Sequence, residues 1–132
     1  PGFPVNVTRL QLAGHIDLAP TMADAAGVTP ALTVDGIPLQ PLAASPTEGT
    51  GRSLLLEAGP KTVDGPWFYR GVRTNQWAYI DYDTEAFVEL YNMTSDPDQL
   101  QNLAYLPAYS DQRATMASLL SELRDCEGVT CQ

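Results

Sequence analysis

Hydrophobic spacing divides the chain into segments of two different periods. Near the C-terminus, SDQRATMASLLSELRDC places Met116, Leu119, Leu120 and Leu123 at i, i+3, i+4 and i+7, one face of an α-helix. Ser110 or Asp111 stands where it can cap the start of that helix. The middle of the chain has the strand period. WFYRGVRT, QWAYIDY and AFVELYNM are rich in aromatic and β-branched residues, and TNQ and DTE between them have turn character. Three such segments in succession predict an antiparallel meander. Upstream, RSLLLEA reads as a buried strand and KTVDGP as a turn; downstream, TSDPDQLQNLA breaks the β pattern at Asp96-Pro97 and predicts a short helical turn. The expected fold class is α+β, a small antiparallel meander of three to four strands packed against a C-terminal helix.

The first third of the chain is organised differently. VNVTRLQL reads as a short extended stretch. DLAPTMADAAG reads as a helix with Asp17 as N-cap, its carboxylate accepting from first-turn N–H groups. Ile16 before the cap suits a hydrophobic staple, Pro20 is tolerable near a helix start, and Gly27 suits a left-handed C-terminal cap. Residues 28–51 are rich in Pro, Gly, Ser and Thr and predict a long irregular connection over a surface, with one short helical turn near PLQPLAA. This divides the chain into residues 1–51 and residues 52–132.

Composition narrows the function classes. A chain of 132 residues is long enough for a real core, and a formal net charge of −9 argues against nucleic-acid binding, which needs a basic surface. No apolar run approaches the roughly 18 residues that cross a membrane, so a soluble segment with no membrane partner is expected. The chain opens on Pro1 with no initiator methionine, and reads as a piece of a longer polypeptide or a product of processing. Asp81, Asp83 and Glu85 alternate, a pattern that suits either a calcium site or a solvated hairpin end. They lack the glycine turn and closing glutamate of an EF-hand loop. Cys126 and Cys131, in CEGVTC, are too few with one histidine for a closed zinc site. They read as a local disulfide, implying an oxidising compartment, or as a pair of free thiols. The triplets NVT at Asn6 and NMT at Asn92 agree weakly with secretion. The sole histidine, His15, has no serine or cysteine nucleophile nearby in sequence and reads as structural.

The order of these segments resembles the C-terminal part of a type I sulfatase, a family of the alkaline-phosphatase superfamily. The resemblance runs through HIDLAPTMADAAGV, DGIPLQPL, RSLLLEA, GVRTNQWAYIDY and ELYNMTSDPDQLQNLAY to LRDCEGVTC. The arginine-threonine strand Gly71–Thr74 is one specific piece. The other resembles the family's E-L-Y-D-L-x-x-D-P-x-E-x-x-N-L-A, with Glu89, Leu90, Tyr91, Asp96, Pro97, Asn102, Leu103 and Ala104 matching and Asn92 and Gln99 departing from it. The closing C-x-G-x-x-C, Cys126, Gly128 and Cys131, is similar to secreted glucosamine-6-sulfatase-like members.

The resemblance implies a sulfuric ester hydrolase whose nucleophile is a formylglycine made from C/S-x-P-S-R, working beside a calcium ion held by aspartates and an asparagine or glutamine. Neither cysteine of this chain precedes x-Pro-Ser-Arg, and no Asp-Asp pair is present. The chain therefore supplies no catalytic residue and no metal ligand, needs no cofactor of its own, and is expected to be inactive alone. Its partner would be the upstream catalytic part of the same enzyme, secreted or periplasmic, acting on a sulfate ester. Residues 1–51 would close the α/β catalytic domain and residues 52–132 would form the C-terminal subdomain bordering the substrate cleft. In DGPWFYRG, Trp67 and Tyr69 offer sugar-stacking faces and Arg70 an anion-binding fork. The competing reading is a plain strand with Trp67 and Tyr69 on one face and Phe68 on the other. Arg73 reads as structural, and Trp77 and Tyr79 as core. Two other assignments fit the same residues: the tail of a phosphonate or phosphodiester hydrolase, and a stand-alone interaction module that dimerises through an exposed apolar face.

Overall fold

The computed structural model describes residues 2–59, 62 and 65–132, so half of the turn expected at KTVDGP, residues 61, 63 and 64, lies outside the described residues. The chain forms two compact units. One holds the residues up to Leu54 together with Cys126–Gln132; the other is Leu55–Asp125. The closing seven residues thus cluster with the N-terminal segment, a return that a linear division at residue 51 does not express.

The Leu55–Asp125 unit is built on a four-stranded sheet in the order β1 (Leu54–Ala58), β2 (Tyr69–Arg73), β3 (Trp77–Tyr82), β4 (Phe87–Asn92). β2, β3 and β4 pair antiparallel, as the meander pattern predicts. Their register aligns Val72 with Tyr79 and Tyr79 with Leu90, so these three share one face, and all are buried. Helix α3 (Ser110–Leu123) lies against β2 and β3. It buries Met116, Leu120 and Leu123 and leaves Leu119 half-buried. Alternation puts Trp77 on the same face, where its ring meets Tyr109 edge-on at 6.0 Å. On the other face Tyr69, Tyr82 and Phe87 run as neighbouring rings, 5.9 and 5.6 Å between centroids.

The α3 start differs from expectation. Tyr109, not Ser110 or Asp111, takes the N-cap position with no side-chain cap, because a 3-10 turn, Pro107–Tyr109, runs straight into the helix. TSDPDQLQNLA forms turns and no helix. The Asp96 carboxylate accepts from the N–H groups of Leu100 and Gln101, and such local bonds compete with helical ones. Beyond these turns, Asn102 takes the part of a fifth strand. Its Oδ1 accepts from Leu90 N–H (3.1 Å), its Nδ2 donates to the Val88 carbonyl (3.0 Å), and Leu103 N–H donates to the Leu90 carbonyl (2.8 Å). The Tyr105 hydroxyl accepts from Val88 N–H. The β4 edge is thereby covered, which removes a template for strand addition.

In the other unit, a 3-10 turn at His15–Asp17 leads into helix α1 (Leu18–Ala26). Gly27 ends it at φ 67°, the left-handed cap the sequence predicts. Helix α2 (Leu39–Ala44) is the short turn expected near PLQPLAA. Two expectations fail here. The 28–51 connection is not wholly superficial, since Leu42 on α2 is buried and packs behind Gly49. VNVTRLQL forms no strand. Asn6 turns to φ 56°, and the segment is held by side chains: Arg9 Nε donates to the Ala43 carbonyl at 3.0 Å and Gln11 Nε2 to the Ser45 carbonyl at 2.7 Å.

Candidate functional site

Within the sheet unit the structure brings Trp67 and Arg70 together. The Arg70 guanidinium carbon lies 5.9 Å from the centre of the Trp67 ring, a cation–π arrangement. Arg70 Nη2 also donates to the Asp83 carboxylate at 2.8 Å, with both side chains about four-fifths buried. The fork is therefore held in place by two neighbours, a flat ring and a carboxylate, while Arg70 Nε is buried without a partner. Tyr69, the preceding residue, points to the opposite face and stacks beside Tyr82. An anion approaching Arg70 meets a pre-positioned guanidinium whose charge is partly offset by Asp83.

Asp83 thus has a structural partner, and Asp81 sits in β3 opposite Arg70. Among the described residues no group of three His, Cys, Asp or Glu side chains is placed to hold a metal ion. Cys126 and Cys131 are joined in the expected disulfide, Cα atoms 5.2 Å apart, so neither thiol is free for conversion to another group. Arg73 donates to the carbonyls of Thr74 and Trp77 and serves the β2–β3 turn. Burial pushes the Tyr79 phenol up, which keeps it neutral.

His15 is exposed, on a turn that anchors its neighbour Asp17. Asp17 overturns its expected role. It occupies the N-cap position of α1, yet its carboxylate makes no cap bond to that helix. It is fully buried, and Arg52 grips both its oxygens, at 2.8 and 2.6 Å. The N–H groups of Gly14 (2.8 Å) and Ile37 (3.0 Å) donate to the same carboxylate. Desolvation pushes its pKa up, but the Arg52 bonds and charge with the two backbone donors outweigh that and hold it below the usual carboxylate value. Arg52 also donates to the Leu12 carbonyl at 3.3 Å. A guanidinium can satisfy a buried carboxylate and a carbonyl at once because its donors form a planar fork. Gly36 packs directly on this turn, where a Cβ would overlap the Ile16 carbonyl. The disulfide loop closes over the same region: Gly128 N–H donates to Asp35 Oδ1 at 2.8 Å, and Gln132 Nε2 to the Gly36 carbonyl at 3.2 Å.

Comparison with known proteins places this architecture. Residues 3–126 match the family model described as N-sulphoglucosamine sulphohydrolase, C-terminal. The chain belongs to that family. This C-terminal sulfatase domain is 30% identical to arylsulfatase K of Bos taurus, over 79% of the chain and 21% of the relative. It is likewise 30% identical to N-acetylglucosamine-6-sulfatase of Bos taurus, over all of the chain and 29% of the relative. Among solved structures it is similar to a 2-O GAG sulfatase, with 30% identity, a TM-score of 0.65, and coverage of 80% of the chain and 23% of the other. It shares its fold with the phosphonate monoester hydrolase of Agrobacterium radiobacter, at 24% identity and a TM-score of 0.67, over 82% of the chain and 24% of the other. The chain thus spans between a fifth and a third of the length of these relatives. Among its described residues no helix is long and apolar enough to cross a membrane.

Proposed function

We propose that this domain is the closing part of a sulfuric ester hydrolase, completing its fold and bordering the substrate cleft with the Trp67–Arg70 segment. In this reading residues 1–51 finish the α/β catalytic domain and residues 52–132 form the C-terminal subdomain. The nucleophile, a formylglycine, and the calcium ion belong to the upstream part of the enzyme, and the 132-residue chain is inactive alone. The disulfide fits a secreted or periplasmic enzyme.

The observation that carries the cleft role is the pairing of an aromatic face with a fixed guanidinium at the entry to β2. A sulfated sugar presents an apolar ring face and an anionic group a few ångströms apart. Trp67 stacks on the first, and Arg70 donates to the second with charge-assisted hydrogen bonds. Tyr69, on the opposite face of the strand beside Tyr82, is left out of the site formed by Trp67 and Arg70. Trp67 and Arg70 bind and orient; they carry no proton or bond-breaking step.

The test is steady-state kinetics of the whole enzyme on a sulfated disaccharide. Arg70→Ala is expected to raise KM roughly tenfold or more with kcat little changed, the pattern of lost uniform binding to a charged group. Trp67→Ala should do the same more weakly. Unchanged kcat/KM in both variants would remove Trp67 and Arg70 from the cleft wall.

A further inference from the structure

Arg70 and Asp83 are tied to each other by one atom each. Arg70 Nη2 donates to Asp83 Oδ2 at 2.8 Å. Among the described residues, Arg70 Nη1 and Asp83 Oδ1 have no hydrogen-bond partner. Solvent still reaches about a fifth of each side chain. One ion pair thus offers both a spare donor and a spare acceptor, with the Trp67 ring centre 5.9 Å from the guanidinium carbon.

The strand register adds a second carboxylate. Arg70 pairs with Asp81 across β2 and β3, and alternation puts both side chains on one side of the sheet. The local charge is therefore one guanidinium against two carboxylates. A single sulfate held by Arg70 meets its counter-charge. A second sulfate beside the first faces Asp83, and like charges at that range repel.

Hydrogen bonding discriminates in the same direction. A sulfate oxygen only accepts, an ionised carboxylate only accepts, and a hydroxyl also donates. A sugar with a sulfate on one ring carbon and a free hydroxyl on the next fits the pair: Arg70 donates to the sulfate, and Asp83 Oδ1 accepts from the hydroxyl. Sulfation of that hydroxyl removes the donor and sets one anion against another.

We infer that Asp83 is a specificity-determining residue, which selects sugars whose sulfate has an unsubstituted hydroxyl on the neighbouring ring carbon. This deepens the proposed function and rests on it. The plainer job for Asp83, holding Arg70 in place and nothing more, makes no distinction between singly and doubly sulfated sugars.

The test is steady-state kinetics of the whole enzyme on two disaccharides, one with a single sulfate and one with a second sulfate on the adjoining ring carbon. The wild-type enzyme is expected to show a KM roughly tenfold higher or more for the doubly sulfated sugar. Asp83→Asn keeps a side-chain acceptor for Arg70 and removes the charge. Its KM for the doubly sulfated sugar should fall roughly tenfold, while its KM for the singly sulfated sugar rises by about threefold. Equal KM values in the wild-type enzyme overturn the inference without any variant. A rise in both KM values in Asp83→Asn overturns it too, because that is the mark of a loosened Arg70 alone. Arg70→Ala separates the two claims. If it leaves KM for the singly sulfated sugar unchanged, the functional reading fails and takes the inference with it. If it raises that KM while Asp83→Asn leaves the ratio between the two sugars unaltered, the inference alone fails.

Discussion

Asp17 and Arg52, 35 residues apart in sequence, form a two-pronged ion pair from which solvent is excluded. The pair ties the 3-10 turn ahead of α1 to the residues that enter β1. Removing one partner leaves the other charge buried and unpaired. Arg52→Ala or Asp17→Ala is therefore expected to cost roughly 3–5 kcal/mol of stability, read by urea denaturation. Arg52→Met combined with Asp17→Asn should cost less than the sum of the single changes, because no charge is then left buried without its partner, although the asparagine Oδ1 can accept from only one of the Gly14 and Ile37 N–H groups, which bond to different carboxylate oxygens.

The same pair fixes the acid limb of stability. The folded carboxylate of Asp17 titrates below its unfolded value, so its contribution is fully present above about pH 4. It is lost as pH falls through the lower folded value. Urea midpoints measured downward from pH 6 should hold until the ordinary carboxylate range and then drop. Asp17→Asn should start lower and show a shallower acid slope.

Two glycines separate steric from conformational need. Gly36→Ala would drive a methyl into the Ile16 carbonyl, and about 1–3 kcal/mol of overpacking cost is expected. Gly27→Ala meets nothing within 4 Å, yet the residue sits at φ 67°. About 1 kcal/mol is expected there, from the left-handed backbone alone. Thermal melts of the two variants should rank in that order.

Asn102→Ala removes both polar arms from the β4 edge and strands Leu90 N–H and the Val88 carbonyl. A loss of roughly 1–3 kcal/mol is expected, with faster hydrogen exchange at Leu90 as the local signature. Asn102→Asp keeps the acceptor but loses the donor, and should restore protection at Leu90 without restoring full stability.

Much of the sheet unit was legible in the sequence because its signals are local and periodic. The meander follows from alternation in β2, β3 and β4, and Met116, Leu120 and Leu123 read directly as the buried face of α3. The disulfide was legible from CEGVTC. What escaped were jobs given to side chains by distant partners. Asp17 has the composition of a helix cap and the position of one. Only the fold brings Arg52 to it, and no spacing rule links residues 35 apart. Asn102 looked like part of a helical turn because its use as a strand surrogate depends on β4 lying beside it. At the candidate site, the aromatic and basic content of DGPWFYRG was visible, but the clamp of Asp83 on Arg70 required the β2–β3 pairing.

The account is tested most directly by aryl sulfate hydrolysis, assayed on the whole enzyme and on the purified 132-residue chain under the same conditions. The whole enzyme is expected to release sulfate and the chain alone to release none. Turnover by the chain alone, or a whole enzyme that cleaves phosphonate monoesters and leaves sulfate esters untouched, would contradict it.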